Sequence, residues 1–224
     1  MSELSTEIRA RGHYMVTIRP TTFMADRVAY QDLWPIVQRC SVSLRGWDFP
    51  HVGREENLER LSDAIRQTTD WQHFREVWRF FQSGLFAYIG GIHEDWAERS
   101  ERWQPPQSPS PLLGGQDAVA RFTEAYEFAA RLASTPAGDD RMHVSIGLRQ
   151  VAGRQLYMEN PARHLMQVYR TEARELIFPE EVERDALLAD PRLLARNAMR
   201  EFFLRFGFDV HDTVLTDLQA QLRP

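Results

Sequence analysis

The chain of 224 residues contains no lysine, so arginine supplies all 27 of its basic side chains. A GC-rich genome, in which lysine codons are scarce, is the simplest explanation. The chemical consequence holds whatever the cause. Enzymes that form a lysine Schiff base, P-loop nucleotide hydrolases, kinases and nucleases with a PD-(D/E)xK site are excluded, because each needs a lysine amine.

Cysteine and long apolar runs are also scarce. Cys40 is the single cysteine, so an internal disulfide is excluded and a reducing compartment is favoured. No apolar run approaches the ~20 residues of a membrane-spanning helix, and the polar residues 1–12 lack the apolar core of a signal peptide. We therefore expect a cytoplasmic protein without a membrane partner.

The net charge of -5 argues against a broad contact with duplex DNA, since DNA-binding domains are usually basic. A local arginine groove for a nucleic acid or a nucleotide stays open, because net charge does not report how charges are distributed. Arg192, Arg196 and Arg200 recur at helical spacing and define one such stripe. The stripe predicts either a phosphate or acidic partner or, more simply, an ordinary solvated helix face.

Hydropathy patterns predict an α+β fold with a mainly antiparallel sheet, packed helices and a C-terminal helical pair. Strands are predicted at residues 13–19, 40–45, 61–71, 141–151, 154–158 and 165–177, with a hairpin at residues 74–92 and a second one formed by 141–151 and 154–158. Helices are predicted at residues 32–39, 116–133, 190–207 and 212–222, with Asp190 and Asp212 as the N-caps of the last two. The segment at 61–71 also fits a helix. We expect one α+β domain over residues 1–224, with residues 188–224 as an alternative helical subdomain.

The loop at residues 45–51, Arg-Gly-Trp-Asp-Phe-Pro-His, follows a predicted strand and combines charged, aromatic and turn-forming residues. Arg45, Asp48 and His51 suit anion binding or proton transfer, and Trp47 and Phe49 offer a stacking platform. In the alternative interpretation the two aromatic rings fill the core and Arg45 pairs with Asp48. The Arg45-x5-His51 spacing resembles the Arg-x(4–6)-His pattern of HEPN ribonucleases, but that pattern lies on a helix, and the strand-and-loop context here argues against the family.

A second dense segment, residues 77–96, contains Trp78 and Arg79 and ends in His93-Glu94-Asp95-Trp96. A histidine beside two carboxylates suits a metal ligand or an acid–base group. Adjacent residues rarely ligate one ion, however, and no spacing of further ligands supports a zinc site. We predict no metal and no cofactor, and a solvated strand end is the simpler interpretation of these residues.

No motif in the chain specifies a reaction. The leading hypothesis is a non-catalytic binding module that holds a ligand, a nucleic acid or a partner protein. Its predicted binding residues are Arg45, Trp47, Asp48, Phe49, His51, Trp78, Arg79, His93 and Trp96.

Two alternatives stay open. An enzyme would build an acid–base site from Arg45, Asp48, His51 and the 93–95 group, which requires both groups to meet in one cleft. A scaffold subunit would use an apolar face of the last helices and predicts a homo-oligomer or a protein partner.

Overall fold

A seven-stranded antiparallel sheet lies at the centre of the computed structural model, which describes residues 3–55, 58–101, 103–163 and 165–222. The strands are β1 (His13–Pro20), β2 (Val42–Ser43), β3 (Asp48–Phe49), β4 (Glu59–Arg60), β5 (Ala64–Trp71), β6 (Phe74–Phe81), β7 (Phe86–Gly91), β8 (Leu112–Gly114), β9 (Arg141–Arg149), β10 (Gln155–Tyr157) and β11 (Glu175–Glu183). The large sheet has the order β11-β9-β1-β7-β6-β5-β4.

Six α-helices occur in the described parts of the chain: α1 (Glu3–Ala10), α2 (Leu33–Cys40), α3 (Gly115–Ala133), α4 (Arg184–Ala189), α5 (Pro191–Leu204) and α6 (Asp212–Ala220). A 3₁₀ helix, His93–Arg99, follows β7. The predicted α+β class, with its antiparallel sheet and C-terminal helical pair, is confirmed. No described helix has the length and apolar character needed to cross a membrane.

Strand β1 lies in the interior of the sheet, and its side chains alternate as the two-residue period of a strand requires. Tyr14, Val16 and Ile18 are buried on one face, and β1 pairs antiparallel with β7 on one side and β9 on the other. The predicted hairpin is also confirmed, since β6 pairs with β7 across the turn at residues 83–84. Gly84 has a φ of +84° there, a conformation that glycine adopts without steric cost.

Helix α3 packs against the inner face of this sheet. It is almost entirely buried, and Phe122, Tyr126 and Phe128 are among the largest fully buried side chains of the described residues. The same hydrophobic cluster extends to Phe202 of α5 and Leu215 of α6. The start of α3 is therefore held between the sheet on one side and irregular segments on the other, and this is where the candidate site lies.

Several predicted elements are wrong in their bounds or partners. Residues 154–158 do not form a hairpin with β9, because β10 pairs parallel with β8 instead. The predicted strand at 165–177 is displaced: the strand is β11, in which Leu176, Phe178 and Val182 are buried on one face. The strand predicted at 40–45 is reduced to the two residues of β2.

Two features at the ends of the chain also differ from expectation. Helix α1 has only two apolar residues with a helical spacing, Leu4 and Ile8, so the sequence pattern does not reveal it. These two residues pack with Val77 and Ile89 on the outer face of the sheet. Helix α6 is capped by His211, whose ring nitrogen accepts a hydrogen bond from the amide of Thr213, and not by Asp212 as its position suggests.

Candidate functional site

A cavity of about 310 Å³ lies beside the N-terminus of α3. Its wall is formed by Arg45, His73, His93, Glu94, Trp103, Gln116, Asp117, Ala120, Tyr157, Glu159 and Leu222. Two histidines, three carboxylates, a tyrosine and a tryptophan thus share one concave surface. Such a mixture of aromatic walls with a few converging polar groups is typical of small-molecule sites.

The first amides of α3 bind two of the carboxylates. Glu159 accepts hydrogen bonds from the amides of Gln116 (2.8 Å) and Asp117 (2.7 Å), and Glu94 Oε1 accepts one from the amide of Gly114 (2.9 Å). The amides at a helix N-terminus have no partner within the helix, and the helix dipole favours negative charge there. These bonds fix Glu94 and Glu159 side by side in the cavity wall.

The second oxygen of Glu94, Oε2, is buried and has no hydrogen-bond partner among the described residues, and the same is true of Tyr157 Oη. The two side chains lie close together, and each shifts the pKa of the other. Burial, and next the negative charge of Asp117, raise the pKa of Glu94 to about 8. Glu94 therefore carries a proton at pH 7, and its Oε2 has no hydrogen-bond partner of good geometry in the described parts of the chain.

Arg45 ties the loop at 45–51 to the cavity through two carboxylates of α3. It forms a two-pronged ion pair with Glu124, with Nε–Oε1 and Nη2–Oε2 distances of 2.9 and 3.1 Å, and a second ion pair with Asp117. Burial alone would raise the pKa of Asp117, but the charges of Arg45 and Arg121 outweigh it and hold that pKa well below its usual range. Asp117 is a permanent carboxylate in this wall.

His93 is held in one tautomer by its two neighbours. Arg121 Nη2 donates to His93 Nε2 at 2.8 Å, and His93 Nδ1 lies 3.6 Å from Asp117 Oδ1. A guanidinium can only donate, so Nε2 must accept and the proton must reside on Nδ1, facing the carboxylate. Burial lowers the pKa of His93 to about 3. His93 is therefore neutral and has no lone pair directed at a ligand.

A chain of buried hydrogen bonds connects this histidine to the loop at 45–51. Arg121 Nη1 donates to Tyr88 Oη (2.6 Å), and Tyr88 Oη donates to Glu76 Oε2 (3.0 Å). Glu76 Oε1 then accepts from the amide of His51 (2.8 Å). Arg121 Nε makes no hydrogen bond among the described residues and lies 3.6 Å from Asp117 Oδ2, so the guanidinium is held by its Nη atoms and by this ion pair.

Trp47 stacks on three aromatic rings outside the cavity. Its ring centroid lies 4.2 Å from that of His51, 4.1 Å from Phe74 and 5.5 Å from Trp71. Phe74 in turn meets the edge of His93 at 5.0 Å. The aromatic part of the predicted loop cluster thus packs behind the cavity wall and does not line it.

The structure brings together only some of the predicted binding residues. Arg45 and His93 line the cavity. Phe49, Trp78 and Trp96 are core side chains with exposures of 2, 1 and 1%. The guanidinium of Arg11 covers the Trp96 ring, at 4.0 Å from the ring centroid.

The remaining predicted residues lie apart from the cavity. Asp48 forms part of the small β2–β3 pair, and the alternative pairing of Arg45 with Asp48 is wrong, because Arg45 pairs with α3. Arg79 lines a different cavity, of about 440 Å³, on the outer face of the sheet. Asp95 accepts from the amide of Gly12 (2.7 Å) and pairs with Arg154, so the enzyme arrangement converges only through Arg45, His93 and Glu94.

The most important residues that the sequence analysis missed are Asp117, Arg121 and Glu124. They recur at i, i+4 and i+7 of α3, which places three charges along one stripe of the helix beside its apolar face. That stripe was the available signal. No sequence signal marks Tyr157 and Glu159, because only the parallel pairing of β10 with β8 brings Tyr157 beside Gly114.

Within the described parts of the chain, no group of three or more histidine, cysteine, aspartate or glutamate side chains is placed to hold a metal ion. The chain matches no known family model, no curated protein and no solved structure at a significant level.

Proposed function

We propose that the protein is a non-catalytic binding module that holds a small polar molecule in the cavity at the start of α3. The observation that carries the proposal is a set of buried polar atoms at this cavity that have no hydrogen-bond partner among the described residues: Glu94 Oε2, Tyr157 Oη and His73 Nδ1. A buried polar group left without a hydrogen bond costs about 1–3 kcal/mol. A ligand that satisfies these atoms offsets that cost, and this supports a binding role.

The aromatic part of the wall supports the same proposal. The rings of His73 and Trp103 lie 5.6 Å apart, tilted by 36°, at the cavity. Aromatic rings contribute large contact areas with few rotatable bonds, so they lose little entropy when a ligand is bound. They suit a ligand with a flat or apolar portion.

The wall is also organised in advance. Arg45 forms ion pairs with Asp117 and Glu124, the amide of Gly114 binds Glu94, and the first amides of α3 bind Glu159. Preorganisation favours binding because the site does not lose further freedom when the ligand arrives.

Native mass spectrometry of the protein purified without added ligand tests the proposal. We expect a retained small molecule on the wild-type chain, its loss in Trp103→Ala and its retention in Trp71→Ala. Trp71 is the matched control because it is 52% exposed and stacks on Trp47 away from the cavity.

If Trp71→Ala loses the molecule and Trp103→Ala retains it, the ligand binds the aromatic cluster of the loop instead. Two negative results together would contradict the binding role and favour the scaffold alternative. The first is a native mass of the chain alone, and the second is the absence of any Trp103-dependent signal in a ligand-observed NMR screen of polar fragments.

A catalytic role is the second candidate, and one observation favours it. Two carboxyl groups at one cavity, Glu94 and Asp117, have pKa values shifted in opposite directions, a pattern that separates a general acid from a carboxylate. Glu94, and not His93, would then donate the proton. In that case Glu94→Gln binds the retained molecule but converts it at least ~100-fold more slowly, whereas a binding module leaves the mass of the molecule unchanged in both variants.

A further inference from the structure

We infer that the ligand of this cavity carries a cationic nitrogen group, an ammonium, amidinium or guanidinium, that binds Glu94. The inference rests on the proposed function and adds the chemical class of the ligand. It stands on the buried, unpartnered Glu94 Oε2 and on the charges of the groups that surround it.

Asp117 keeps a negative charge at the cavity, and Glu94 gains one when a bound cation displaces its proton. Three carboxylic side chains, Glu94, Asp117 and Glu159, line the cavity, and Arg45 is the one arginine among its described lining residues. Arg45 is already engaged by Asp117 and by Glu124 behind the wall. His73 and His93 add no positive charge at neutral pH, because burial lowers the pKa of each.

The directions of the free hydrogen-bonding groups favour a donor. Glu94 Oε1 already receives the amide of Gly114, and each oxygen of Glu159 receives one amide of α3. Glu94 Oε2 and Tyr157 Oη have no hydrogen-bond partner among the described residues, and both oxygens can accept. A ligand with several N–H groups satisfies both, whereas a phosphate or carboxylate would meet lone pairs of like charge.

The aromatic rings suit the same class. Trp103 and His73 border the cavity, and a cation placed over the face of an aromatic ring is attracted by the electron density of that ring. Binding of a cation also stabilises the ionised form of Glu94, so the carboxyl gives up its proton when the ligand arrives. The released proton passes to the buffer.

The competing ligand is neutral. Because Glu94 is protonated at pH 7 in the structure, it could also donate its proton to a carbonyl oxygen of an uncharged molecule. Three flat probes of nearly equal shape separate the classes: benzamidine carries a cation, benzamide is neutral and benzoate is an anion.

The experiment is isothermal titration calorimetry of the full chain with each probe at pH 7, for wild type, Glu94→Gln and Glu98→Gln. Glu98 is the control because it lies on the same 3₁₀ helix, is 58% exposed and pairs with Arg11 outside the cavity. We expect benzamidine to bind at least 10-fold more tightly than benzamide and benzoate. Glu94→Gln should weaken benzamidine at least 10-fold and Glu98→Gln less than 2-fold.

Titration of benzamidine in two buffers of different ionisation enthalpy adds a second measurement. A proton released by Glu94 makes the observed enthalpy depend on the buffer in wild type and not in Glu94→Gln. This measurement detects proton release by Glu94 directly, separately from any change in affinity.

The inference is overturned if benzamide or benzoate binds as tightly as benzamidine, if Glu94→Gln leaves the benzamidine affinity unchanged, or if no probe binds. If a neutral or anionic probe binds and its binding depends on Trp103, the proposed cationic ligand is contradicted, whereas the proposed binding role still holds. If no probe binds and native mass spectrometry shows the chain alone, both the cationic ligand and the binding role are contradicted.

Discussion

Glu94 shows how the environment of one residue changes its chemistry. The same carboxyl group on an exposed strand end would be ionised at neutral pH, as the sequence suggested. In the structure one of its oxygens accepts a hydrogen bond from the amide of Gly114, and the other is buried without a hydrogen-bond partner among the described residues. The pKa of a carboxyl rises when burial removes the water that stabilises its charge.

We predict that Glu94 makes the wild-type protein less stable as the pH rises. The folded chain keeps the Glu94 proton up to pH about 8, whereas the unfolded chain releases it near the ordinary value of 4.5. Between these values the folded state binds more protons, so the free energy of unfolding falls with pH by up to ~1.4 kcal/mol per unit. Above pH 8 the contribution no longer changes.

Urea denaturation of wild type and Glu94→Gln at several pH values from 5 to 9 measures this effect. The comparison with Glu94→Gln subtracts most of the contribution of the other titratable groups at the cavity, which are Asp117, Tyr157, Glu159, His73 and His93. We expect the stability of the variant relative to wild type to rise from pH 5 to 8. Parallel curves for the two proteins would contradict the raised pKa.

At the scale of the element, α3 joins the core to the candidate site. Its apolar residues pack on the sheet, and the charged stripe of Asp117, Arg121 and Glu124 faces the cavity and the loop at 45–51. A charge buried in a helix face must be paired, because desolvation of an unpaired charge is costly. Arg45 supplies that pairing from a distant part of the chain.

We predict that Arg45→Met lowers the free energy of unfolding by ~3–5 kcal/mol, because the substitution leaves Asp117 and Glu124 as buried, poorly compensated carboxylates. The matched control is Arg60→Met, since Arg60 pairs with Glu55 and both side chains are more than half exposed. An exposed ion pair contributes ~0–1 kcal/mol. Equal effects of the two substitutions in chemical denaturation would show that the Arg45 ion pairs are not a buried network.

At the scale of the whole molecule, the prediction of a homo-oligomer or protein partner is still a proposal. Leu193 and Leu204 of α5 are 43 and 52% exposed, and they are the apolar surface on which a scaffold role would depend. Single exposed leucines are common on monomers, so their presence does not decide the matter.

If α5 carries the contact, light scattering of wild type will give a mass above 26.2 kDa that rises with concentration. The double substitution Leu193→Glu and Leu204→Glu should then return the mass to that of one chain. Met166→Glu is the control, since Met166 is 90% exposed and lies outside the C-terminal helices. A single-chain mass for wild type at every concentration would contradict the proposal.

Local patterns determined most of the elements. The alternation in β1 and β9 and the aromatic flanks around Ser83-Gly84 predict strands because neighbouring residues alone decide which face is apolar. The helical spacing of α3 and α5 works in the same way, and Asp190 caps α5 as predicted, by accepting from the amide of Leu193 (2.8 Å). The α+β class follows from this order of elements.

The sequence by itself also determined that lysine chemistry and an internal disulfide are absent, because composition needs no structure. Only the tertiary structure decided which polar residues meet. Glu94, Asp117 and Glu159 are separated by tens of residues, and the wall they form depends on the β8–β10 pairing and on the position of α3 against the sheet. A one-dimensional pattern reports which face of an element is apolar, but it does not report which distant element covers that face.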